Sequence, residues 1–554
     1  MIDQNYHPLF SIYATGILST LAITGICSFV FFKKNFLINW SKYLFIFSIL
    51  FYFAYILTFQ LLKLYTFKYY ADFSVWLELF SNVKDGRGII STLEQTSHSF
   101  ESARNYLAVH FVPLIYLLVL PLYIFINYPV YLIVLQTLIL TSSAIPLYLF
   151  ARDVFKDKRI GHLFAASFLF FPTLQYINLY DFEFLRISIP LLLFCFYFLH
   201  TKKYFFYYVF FILSILVREE VALTMFLLGL YIILVMKEKK HGIATSVISI
   251  LYFLALVKII MPYFASDTSG FHYHKAFSSF SHLGDSPVQI LIYIISHPLA
   301  VFSNLLDKVK IANFLMYTIP LLFMPIFSPS ILLISTGNLL LNFLSLSISH
   351  YSYILYYLSP SIPFLFLSAI QGVKNISDKG LPYLKKKTIL LSRFDSKECT
   401  YVLVSCIFVA CASSSIFFGP SPLSIQFWNK NYKLAPYKTH NFHYSQYILT
   451  DHHKKVFAFL SLIPNDVTVS AEHFFLPYLY KKKTLMQFPI FKEADYVLID
   501  KKHPIKFGVS KAGVDPLEAR SNPQQYYDLV EKDTKNWELI KEDDGIFLFK
   551  RLTW

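Results

Sequence analysis

Charged residues are scarce in this sequence, because Asp, Glu, Lys and Arg make up only 15% of its 554 residues. An average soluble domain has about 25%. Hydrophobic residues account for 56% of the chain and aromatic residues for 19%, and apolar segments of about 20 residues recur through its first three quarters. These values exclude an ordinary soluble protein. They predict an integral membrane protein with a soluble part near its C-terminal end.

Cysteine is also scarce. The five cysteines all lie within or beside apolar segments, and none follows residue 418. A disulfide framework and a cysteine-based zinc site are therefore not indicated. The sequence also lacks a glycine-rich phosphate loop, a dinucleotide fingerprint, an HExxH motif and a nucleophile elbow.

Twelve apolar segments predict membrane-spanning helices. Together they predict a mainly α-helical polytopic domain of about 12 transmembrane helices at residues 1–418, with a first external loop at 64–128. A small extracytoplasmic α/β domain is expected at residues 419–554. The segments are Leu9 to Phe32, Tyr43 to Leu62, Pro129 to Phe150, Gly161 to Ile177, Ile187 to Leu199, Phe205 to Val217, Val221 to Met236, Ile243 to Phe264, Ile311 to Phe327, Ile331 to Ile348, Tyr353 to Val373 and Thr400 to Phe418.

Lys and Arg identify the cytoplasmic side, because short loops rich in these residues are retained there. One alternating set of loops carries 19 Lys and Arg residues against 6 acids, and the opposite set carries 9 against 12. We assign the first set to the cytoplasm, which places both termini outside it in a multi-pass protein of the inner (plasma) membrane. The formal net charge of +15 then follows from topology, with anionic lipid as the neighbour and no nucleic-acid partner. The cytoplasmic loops are too short for a nucleotide-sugar domain, so an enzyme would take its activated substrate from the membrane.

Acidic residues on the outer side are concentrated at three breaks between apolar segments. Asp72 lies in the first break, Asp181 and Glu183 in the second, and the triplet Arg218-Glu219-Glu220 in the third. Ionisable groups at membrane depth are costly, so they usually pair, line a cavity or bind a ligand. The pattern predicts one polar site at the outer face. Each break also has a simpler interpretation. Asp72 is then a solvated or N-capping residue, the second break is an ordinary polar turn, and the third break contains an ion pair that only closes a turn.

Two further external segments carry polar candidates. His110 begins an apolar stretch that contains Pro113 and Pro121, which predicts a kinked helix in the outer interface rather than a span. His350 and Tyr351 lie in an external loop within "SHYSYILYY". Each of these residues is also typical of a membrane interface, where aromatic and amphipathic side chains are enriched.

The region after Phe418 is mixed and charged. A helix is predicted by "YILTDHHKKVFAFLSLI", strands by "DVTVSA", "TLMQF" and "ADYVLID", and a hairpin across Asp544-Gly545 by "WELIKEDDGIFLFKR". Asp451 with His452 and His453 suggests a metal site, but adjacent histidines on a helix point to different faces. A solvated helix start is therefore expected for them.

Several runs resemble a family of predicted bacterial and archaeal membrane proteins of unknown function, which is itself similar to the GT-C glycosyltransferases. Those are polytopic enzymes that use polyprenyl-phosphate-linked sugars. The resemblance covers most of the chain from about Tyr70 to Arg551. Within it, "ADFSVWLE" keeps Asp72 but lacks the Gly and Gln of the family's first-loop motif, and Glu183 replaces a His. The runs are "HFVPLIYLLVLPLY", "LQTLILTSSAIPLYLFARDVF", "NLYDFEF", "LVREEVAL", "HYSYILYYLSPSIPFLFLSAIQGV" and "IPNDVTVSAEHFFLPYLYKKKTLMQFP".

The resemblance implies a membrane glycosyltransferase that moves a sugar from a polyprenyl-phosphate donor to an acceptor at the extracytoplasmic face. It implies catalytic roles for Asp72, Asp181 and Glu183, which are also the candidate ligands of a divalent cation such as Mg²⁺ or Mn²⁺. The alternatives are a transporter or flippase for a lipid or solute, and a non-catalytic envelope assembly protein.

The remaining candidates are substrate-binding residues. The resemblance implies that Arg218 binds the lipid phosphate, with Glu219 and Glu220 holding this Arg or the cation. The other substrate-binding candidates are His110, His350 and Tyr351.

Overall fold

A computed structural model of the chain describes residues 12–32, 36–97, 105–125, 127–265, 278–284, 286–385, 395–432, 442–503 and 522–552. Over these residues the chain is mainly α-helical, with one five-stranded sheet close to its C-terminal end. This confirms the predicted class, a helical protein with a small C-terminal α/β part. The domain boundary at residue 418 stays a prediction.

Four helices of the described part are long and apolar enough to cross a membrane: Ser41–Tyr65, Tyr128–Phe155, Lys239–Phe264 and Ser396–Phe418. Two helix pairs satisfy the same criteria only when each pair is taken as one bent span. They are Lys158–Leu169 with Pro172–Leu179, bent by 50°, and Val288–Ser296 with Pro298–Leu305, bent by 95°. The described residues thus provide four to six spans by length and composition, and the predicted number of twelve is not confirmed.

Shorter apolar helices coincide with most of the other predicted segments. A helix such as Tyr204–Ile215, with 12 residues, reaches about 18 Å at 1.5 Å per residue, which is short of the roughly 30 Å hydrocarbon core. The others are Ala14–Cys27, Phe184–His200, Val221–Met236 and Pro329–Leu344. Further helices are Ala71–Lys84, Thr92–Ser97, Lys308–Thr318, Ile362–Asn375, Asp451–Leu460, Leu476–Leu479 and Pro523–Glu531.

Two segments differ from the sequence prediction. The stretch after His110 forms only a short helix, Ile115–Leu118, and a 3₁₀ turn, Leu120–Tyr123, because its prolines prevent a continuous helix. Its exposed apolar side chains fit the predicted interfacial position. The region predicted as a loop before residue 310 contains the apolar helices Pro287–Ser296 and Pro298–Leu305.

The helix Ala71–Lys84, here called the first-loop helix, carries Asp72 in its first turn. Two glycines follow the helix, and Gly86 and Gly88 have positive φ values of 73° and 91°, which end it. The helix is enclosed on nearly all sides, since 12 of its 14 residues are buried. Enclosure on nearly all sides fixes the direction of the few side chains that reach solvent.

The C-terminal sheet contains five strands: β1 Thr468–Ala471, β2 Thr484–Gln487, β3 Tyr496–Asp500, β4 Trp537–Asp543 and β5 Ile546–Arg551. Their order is β2-β1-β3-β5-β4. Strands β2, β1 and β3 are parallel, whereas β5 is antiparallel to both of its neighbours. Asp544 and Gly545 join β4 to β5 with φ values of 57° and 82°, which confirms the predicted hairpin.

The loop predicted at residues 64–128 packs against the edge strand β2. Thr92 Oγ1 accepts a hydrogen bond from the Leu485 backbone N–H at 2.9 Å, and Ser97 Oγ accepts one from the Gln487 N–H at 2.7 Å. Thr96 Oγ1 donates to the Leu485 carbonyl oxygen at 2.6 Å. These side chains hydrogen-bond to backbone groups of β2 that have no partner strand. They hold the sheet beside the first-loop helix.

Candidate functional site

Asp181 anchors the start of the first-loop helix. Its Oδ2 accepts a hydrogen bond at 2.6 Å from the backbone N–H of Tyr70, the residue that immediately precedes the helix. Its Oδ1 lies 3.4 Å from Nζ of Lys63, which also donates to the Leu179 carbonyl oxygen at 2.8 Å. Asp181 and Lys63 are both buried. Buried positive charge from Lys63 and from Arg186 therefore balances this carboxylate, which in turn positions the helix that carries Asp72.

Glu183 connects the first and third breaks. Its Oε2 accepts a hydrogen bond from Nε1 of Trp76 at 3.0 Å, and its Oε1 lies 3.2 Å from Nη1 of Arg218. Trp76 is four residues after Asp72 on the first-loop helix, so the two side chains are on the same side of that helix. Glu183 and Arg218 are buried. The three breaks therefore meet at the contacts among Trp76, Glu183 and Arg218.

Arg218 is the centre of a network of charged side chains. Its Nη2 lies 2.8 Å from Nε2 of His110, and its Nε lies 3.3 Å from Oε2 of Glu220. Nδ1 of His110 lies in turn 2.9 Å from Oε1 of Glu219. Including Glu183, three carboxylates surround one arginine, so negative charge is in excess around the guanidinium.

Among the five candidate acids Asp72 is the exposed one, whereas Asp181 and Glu183 are buried and Glu219 and Glu220 are half-buried. It lies in the first turn of the first-loop helix, where the helix dipole favours negative charge. Asp72 is therefore the acid of this region that a ligand can approach most directly.

A row of aromatic rings begins beside Asp72 and ends at His350. The Tyr180 hydroxyl lies 3.5 Å from Oδ2 of Asp72. Ring centroids are then separated by 5.8 Å between Tyr180 and Tyr356, 4.5 Å between Tyr356 and Tyr357, and 4.6 Å between Tyr357 and His350. Burial lowers the pKa of His350 to about 4. The structure thus links His350 to Asp72 through three tyrosines.

Burial and charge shift the pKa values of these acids in different directions. Burial raises the pKa of Asp181 and of Glu220. Burial also acts on Glu219, but the contact with His110 and the charge of Arg218 outweigh it and lower the pKa of Glu219 to about 2. The network therefore contains a firmly ionised carboxylate beside one that is easier to protonate.

A cavity of about 100 Å³ lies between the first two breaks and the C-terminal part of the chain. One wall includes Lys63, Tyr70 and Tyr180, the residues that contact Asp181 and Asp72. The opposite wall belongs to the C-terminal part of the chain and includes His452, His453, His473, Asp500 and His503. The candidate site therefore borders a group of polar side chains from the C-terminal part of the chain.

The profile of a family described as "Predicted membrane protein (DUF2079)" matches residues 60–548. The chain belongs to this family. The match confirms the resemblance to a family of predicted membrane proteins. No curated protein sequence matches the chain. Among solved structures, the chain is similar to the crystal structure of ArnT from Cupriavidus metallidurans bound to undecaprenyl phosphate, with a TM-score of 0.40 and 10% sequence identity over 86% of this chain and 98% of ArnT.

In this DUF2079 protein the structure places Glu183, the third-break triplet and His110 in one network, whereas Asp181 and Asp72 lie beside it in contact with Tyr70 and Tyr180. It does not bring Tyr351 into that network. The ring of Tyr351 instead lies under Nζ of Lys310, 5.3 Å from the ring centroid. Tyr351 follows His350 directly, but its ring and the imidazole have different neighbours.

The predicted metal ligands Asp72, Asp181 and Glu183 do not converge. Asp181 binds the backbone N–H of Tyr70, and Glu183 binds the indole of Trp76. Trp76 is six residues after Tyr70, which is about 9 Å along the helix axis at 1.5 Å per residue. Within the described residues, the His, Cys, Asp and Glu donors that do converge in a group of three lie in the C-terminal part. The three predicted acids therefore do not fit a shared Mg²⁺ or Mn²⁺ position.

Sequence reasoning did not identify three residues that organise the site. Lys63 had a visible signal, since it is a basic residue at the end of an apolar segment. Trp76 and Tyr70 had none, because aromatic residues are common throughout this chain. The prediction of a solvated helix start at His452 and His453 was wrong, since both residues are buried, His452 between Asp500 and Asp544 and His453 beside the ring of Phe67.

Proposed function

We propose that this protein is a membrane glycosyltransferase that transfers a sugar from a polyprenyl-phosphate donor to an acceptor at the extracytoplasmic face. The observation that carries the proposal is the convergence of three outer breaks on Trp76, Glu183 and Arg218, beside the exposed carboxylate of Asp72. The resemblance of these breaks to the motifs of GT-C-related proteins supplies the reaction class. Fold likeness alone does not establish a reaction.

Asp72 is the proposed general base. The acceptor hydroxyl transfers its proton to the Asp72 carboxylate while its oxygen forms a bond to the anomeric carbon of the donor sugar. The bond from that carbon to the phosphate oxygen breaks, and the electron pair leaves with the polyprenyl phosphate. A base must come within hydrogen-bond reach of the acceptor, and the exposure of Asp72 permits this approach.

Asp181 and Glu183 act as positioning residues in this proposal. Asp181 fixes the backbone at the start of the first-loop helix, and Glu183 holds Trp76 on the next turn. Both carboxylates are buried and occupied by these partners. Preorganised active sites rely on such support, because small displacements of a catalytic group lower the rate strongly.

Arg218 is the proposed electrostatic partner of the departing phosphate. Its guanidinium already faces Glu183, Glu220 and His110, so a phosphate would gain access by replacing His110, the one of these three partners that is not a carboxylate. The side chain of His110 is 26% exposed, which makes this end of the network the accessible one. An Arg–phosphate contact is charge-assisted and stabilises the charge that grows on the leaving group. No step in this proposal passes through a divalent cation.

The proposed location at the extracytoplasmic face rests on the distribution of Lys and Arg between the loops. It places both termini and the C-terminal sheet on the same side as the three breaks. The partners are then a polyprenyl-phosphate-linked sugar within the membrane and an acceptor of the cell envelope.

The test is mass spectrometry of envelope glycans and lipid-linked sugars in a strain from which the gene has been deleted. We expect a missing sugar on an envelope glycan together with accumulation of one polyprenyl-phosphate sugar. Unchanged glycans and unchanged lipid-linked sugars would contradict the proposal.

A second experiment distinguishes a glycosyltransferase from a flippase. Membranes of the deletion strain are dissolved in detergent, which removes the distinction between the two faces, and transfer from the accumulated lipid-linked sugar is measured. Because solubilisation makes a flippase unnecessary, restored transfer would favour transport. The proposal predicts that transfer stays absent until purified protein is added.

A further inference from the structure

Two histidines and one aspartate converge at the edge of the C-terminal sheet. His452 is the second residue of the helix Asp451–Leu460, Asp500 ends strand β3, and His503 lies in the turn that follows. Nε2 of His452 and Nδ1 of His503 each lie 2.9 Å from the same carboxylate oxygen, Oδ2 of Asp500. The three donor atoms all lie within 4.8 Å of one another. They come from three segments that only the folded chain brings together.

Asp544 completes this arrangement from behind. Its Oδ2 lies 2.9 Å from Nδ1 of His452, the ring nitrogen that faces away from Asp500. A metal-binding histidine characteristically donates its second ring N–H to a carboxylate, which fixes the tautomer and leaves the other nitrogen free to bind the metal. Asp544 also contacts Lys502, so its own position is fixed.

The two carboxylates create a chemical conflict around His452. A neutral imidazole has a single N–H, so it can donate to Asp544 or to Asp500 but not to both. If Nδ1 donates to Asp544, the lone pair of Nε2 faces Oδ2 of Asp500 at 2.9 Å, and two acceptors repel each other. A cation between Nε2 and Oδ2 removes that repulsion. The alternative is an imidazolium that donates to both carboxylates.

We infer that His452, Asp500 and His503 bind a Zn²⁺ ion, with Asp544 as the hydrogen-bond partner that orients His452. Zinc binds imidazole nitrogen at about 2.0–2.1 Å and carboxylate oxygen at about 2.0–2.2 Å, usually with tetrahedral geometry. Tetrahedral donors at those lengths are roughly 3.3 Å apart, so the 2.9 Å contacts need to open by only a few tenths of an ångström. Two imidazoles and one carboxylate also suit zinc better than Mg²⁺ or Ca²⁺, which prefer oxygen ligands.

Three protein ligands leave a fourth zinc position open. All three also line the cavity that Lys63 and Tyr180 border from the opposite side, so the open position can face that cavity. Zinc sites with one open position hold water or an anionic oxygen there. The inference does not depend on glycosyl transfer, because the ligand set and the cavity exist whatever reaction the outer breaks support.

The test uses full-length protein purified in detergent with an affinity tag that contains no histidine. After chelation and removal of the chelator, the protein is equilibrated with zinc, washed, and analysed for bound metal by inductively coupled plasma mass spectrometry. We expect one zinc per chain for the wild type and background values for His452→Gln and for His503→Gln. Equal zinc content in the wild type and in both variants would overturn the inference and indicate adventitious binding.

His453→Gln is the matched control. His453 is the next residue in the chain and is also buried, but its Nδ1 lies 3.0 Å from the backbone N of Thr450 at the start of the same helix. Gln at this third helical position is favourable for capping, so the helix should persist and zinc should be retained. Loss of zinc in His453→Gln equal to that in His452→Gln would contradict the assigned ligand set.

Asp544→Asn tests the orienting role separately. Removal of such a partner typically lowers metal affinity by about 10–100-fold, so this variant should still bind one zinc at saturation but release it to a weaker chelator than the wild type. If the histidine variants do not yield folded protein, X-ray absorption of the zinc-loaded wild type decides. The expected result is two imidazole ligands, and a zinc coordinated by oxygen alone would overturn the inference.

Discussion

Asp181→Asn removes the charge of a buried carboxylate whose cationic partner stays in place. Lys63 lies 3.4 Å away, and both side chains are buried. Loss of one member of a buried ion pair typically costs about 3–5 kcal/mol, because the remaining charge is left without compensation. Asn can still accept the hydrogen bond from the Tyr70 N–H, so we expect a loss in this range that comes from the charge alone. The stability is measured on full-length protein as the unfolding midpoint in mixtures of mild detergent and SDS.

Two further variants make the reasoning refutable. Lys63→Met combined with Asp181→Leu replaces both charges by apolar groups, and such replacements are often close to neutral, so the double variant should be more stable than Asp181→Asn. Asp72→Asn changes an exposed carboxylate and should leave the unfolding midpoint close to that of the wild type. The account of the buried pair would be wrong if Asp181→Asn were as stable as Asp72→Asn, or if the double variant were the least stable of the three.

Three other predictions concern the supports of the site. Trp76→Phe removes the indole donor to Glu183. It should destabilise the protein by about 1.5–3 kcal/mol, the usual value for a hydrogen bond to a charged group. The same unfolding titration measures this loss, and an unchanged midpoint would contradict the contact. Thr92→Val with Ser97→Ala removes two acceptors for the edge strand β2 and should accelerate limited proteolysis of the C-terminal part, whereas an unchanged rate would show that these contacts do not hold the sheet. Folding lowers the pKa of Glu219 from 4.5 to about 2, because the contact with its histidine partner outweighs the effect of burial. The ionised form of Glu219 therefore stabilises the folded protein fully at neutral pH. This stabilisation declines as the pH falls from 4.5 towards 2. The difference in melting temperature between the wild type and Glu219→Gln should therefore narrow over that window, and a constant difference would contradict the assigned shift.

Local patterns predicted the C-terminal elements well. Short hydrophobic runs identified strands β1, β2 and β3, and the Asp544-Gly545 pair identified the hairpin because both residues adopt positive φ. The three breaks were likewise visible as interruptions of apolar segments. Strands, hairpins and breaks depend mainly on residues that are close together in the sequence, so local sequence patterns are enough to predict them.

The pairings within the site could not be predicted in the same way. Trp76 and Glu183 are 107 positions apart, and Lys63 and Asp181 are 118 positions apart, so only the tertiary fold brings them into contact. The burial of His452 also depends on the distant Asp544 hairpin. The spacing of two adjacent histidines indicates only that they point to different faces, and it does not reveal which face is covered.

Hydropathy did not establish the number of spans, because it does not measure length within one straight helix. The helix at Pro287–Ser296 has 10 residues and the one at Pro298–Leu305 has 8, about 15 Å and 12 Å at the helical rise. Neither alone reaches across a hydrocarbon core of about 30 Å. Proline at the start of the second helix, where its missing N–H is tolerated, allows a sharp bend that composition alone does not show.

The most direct test of the central claim compares Asp72→Asn with Asp85→Asn in the deletion strain. Both residues are exposed acids associated with the first-loop helix, Asp72 at its start and Asp85 just after its end. Asp72 contacts Tyr180 beside the second break, whereas Asp85 pairs with Arg87 in its own loop. Lipid-linked sugars are quantified by mass spectrometry after each variant is expressed at the level of the wild type. We predict that Asp85→Asn restores the wild-type pattern and that Asp72→Asn leaves the donor accumulated as in the deletion strain. Full restoration by Asp72→Asn would contradict a transferase site at these breaks.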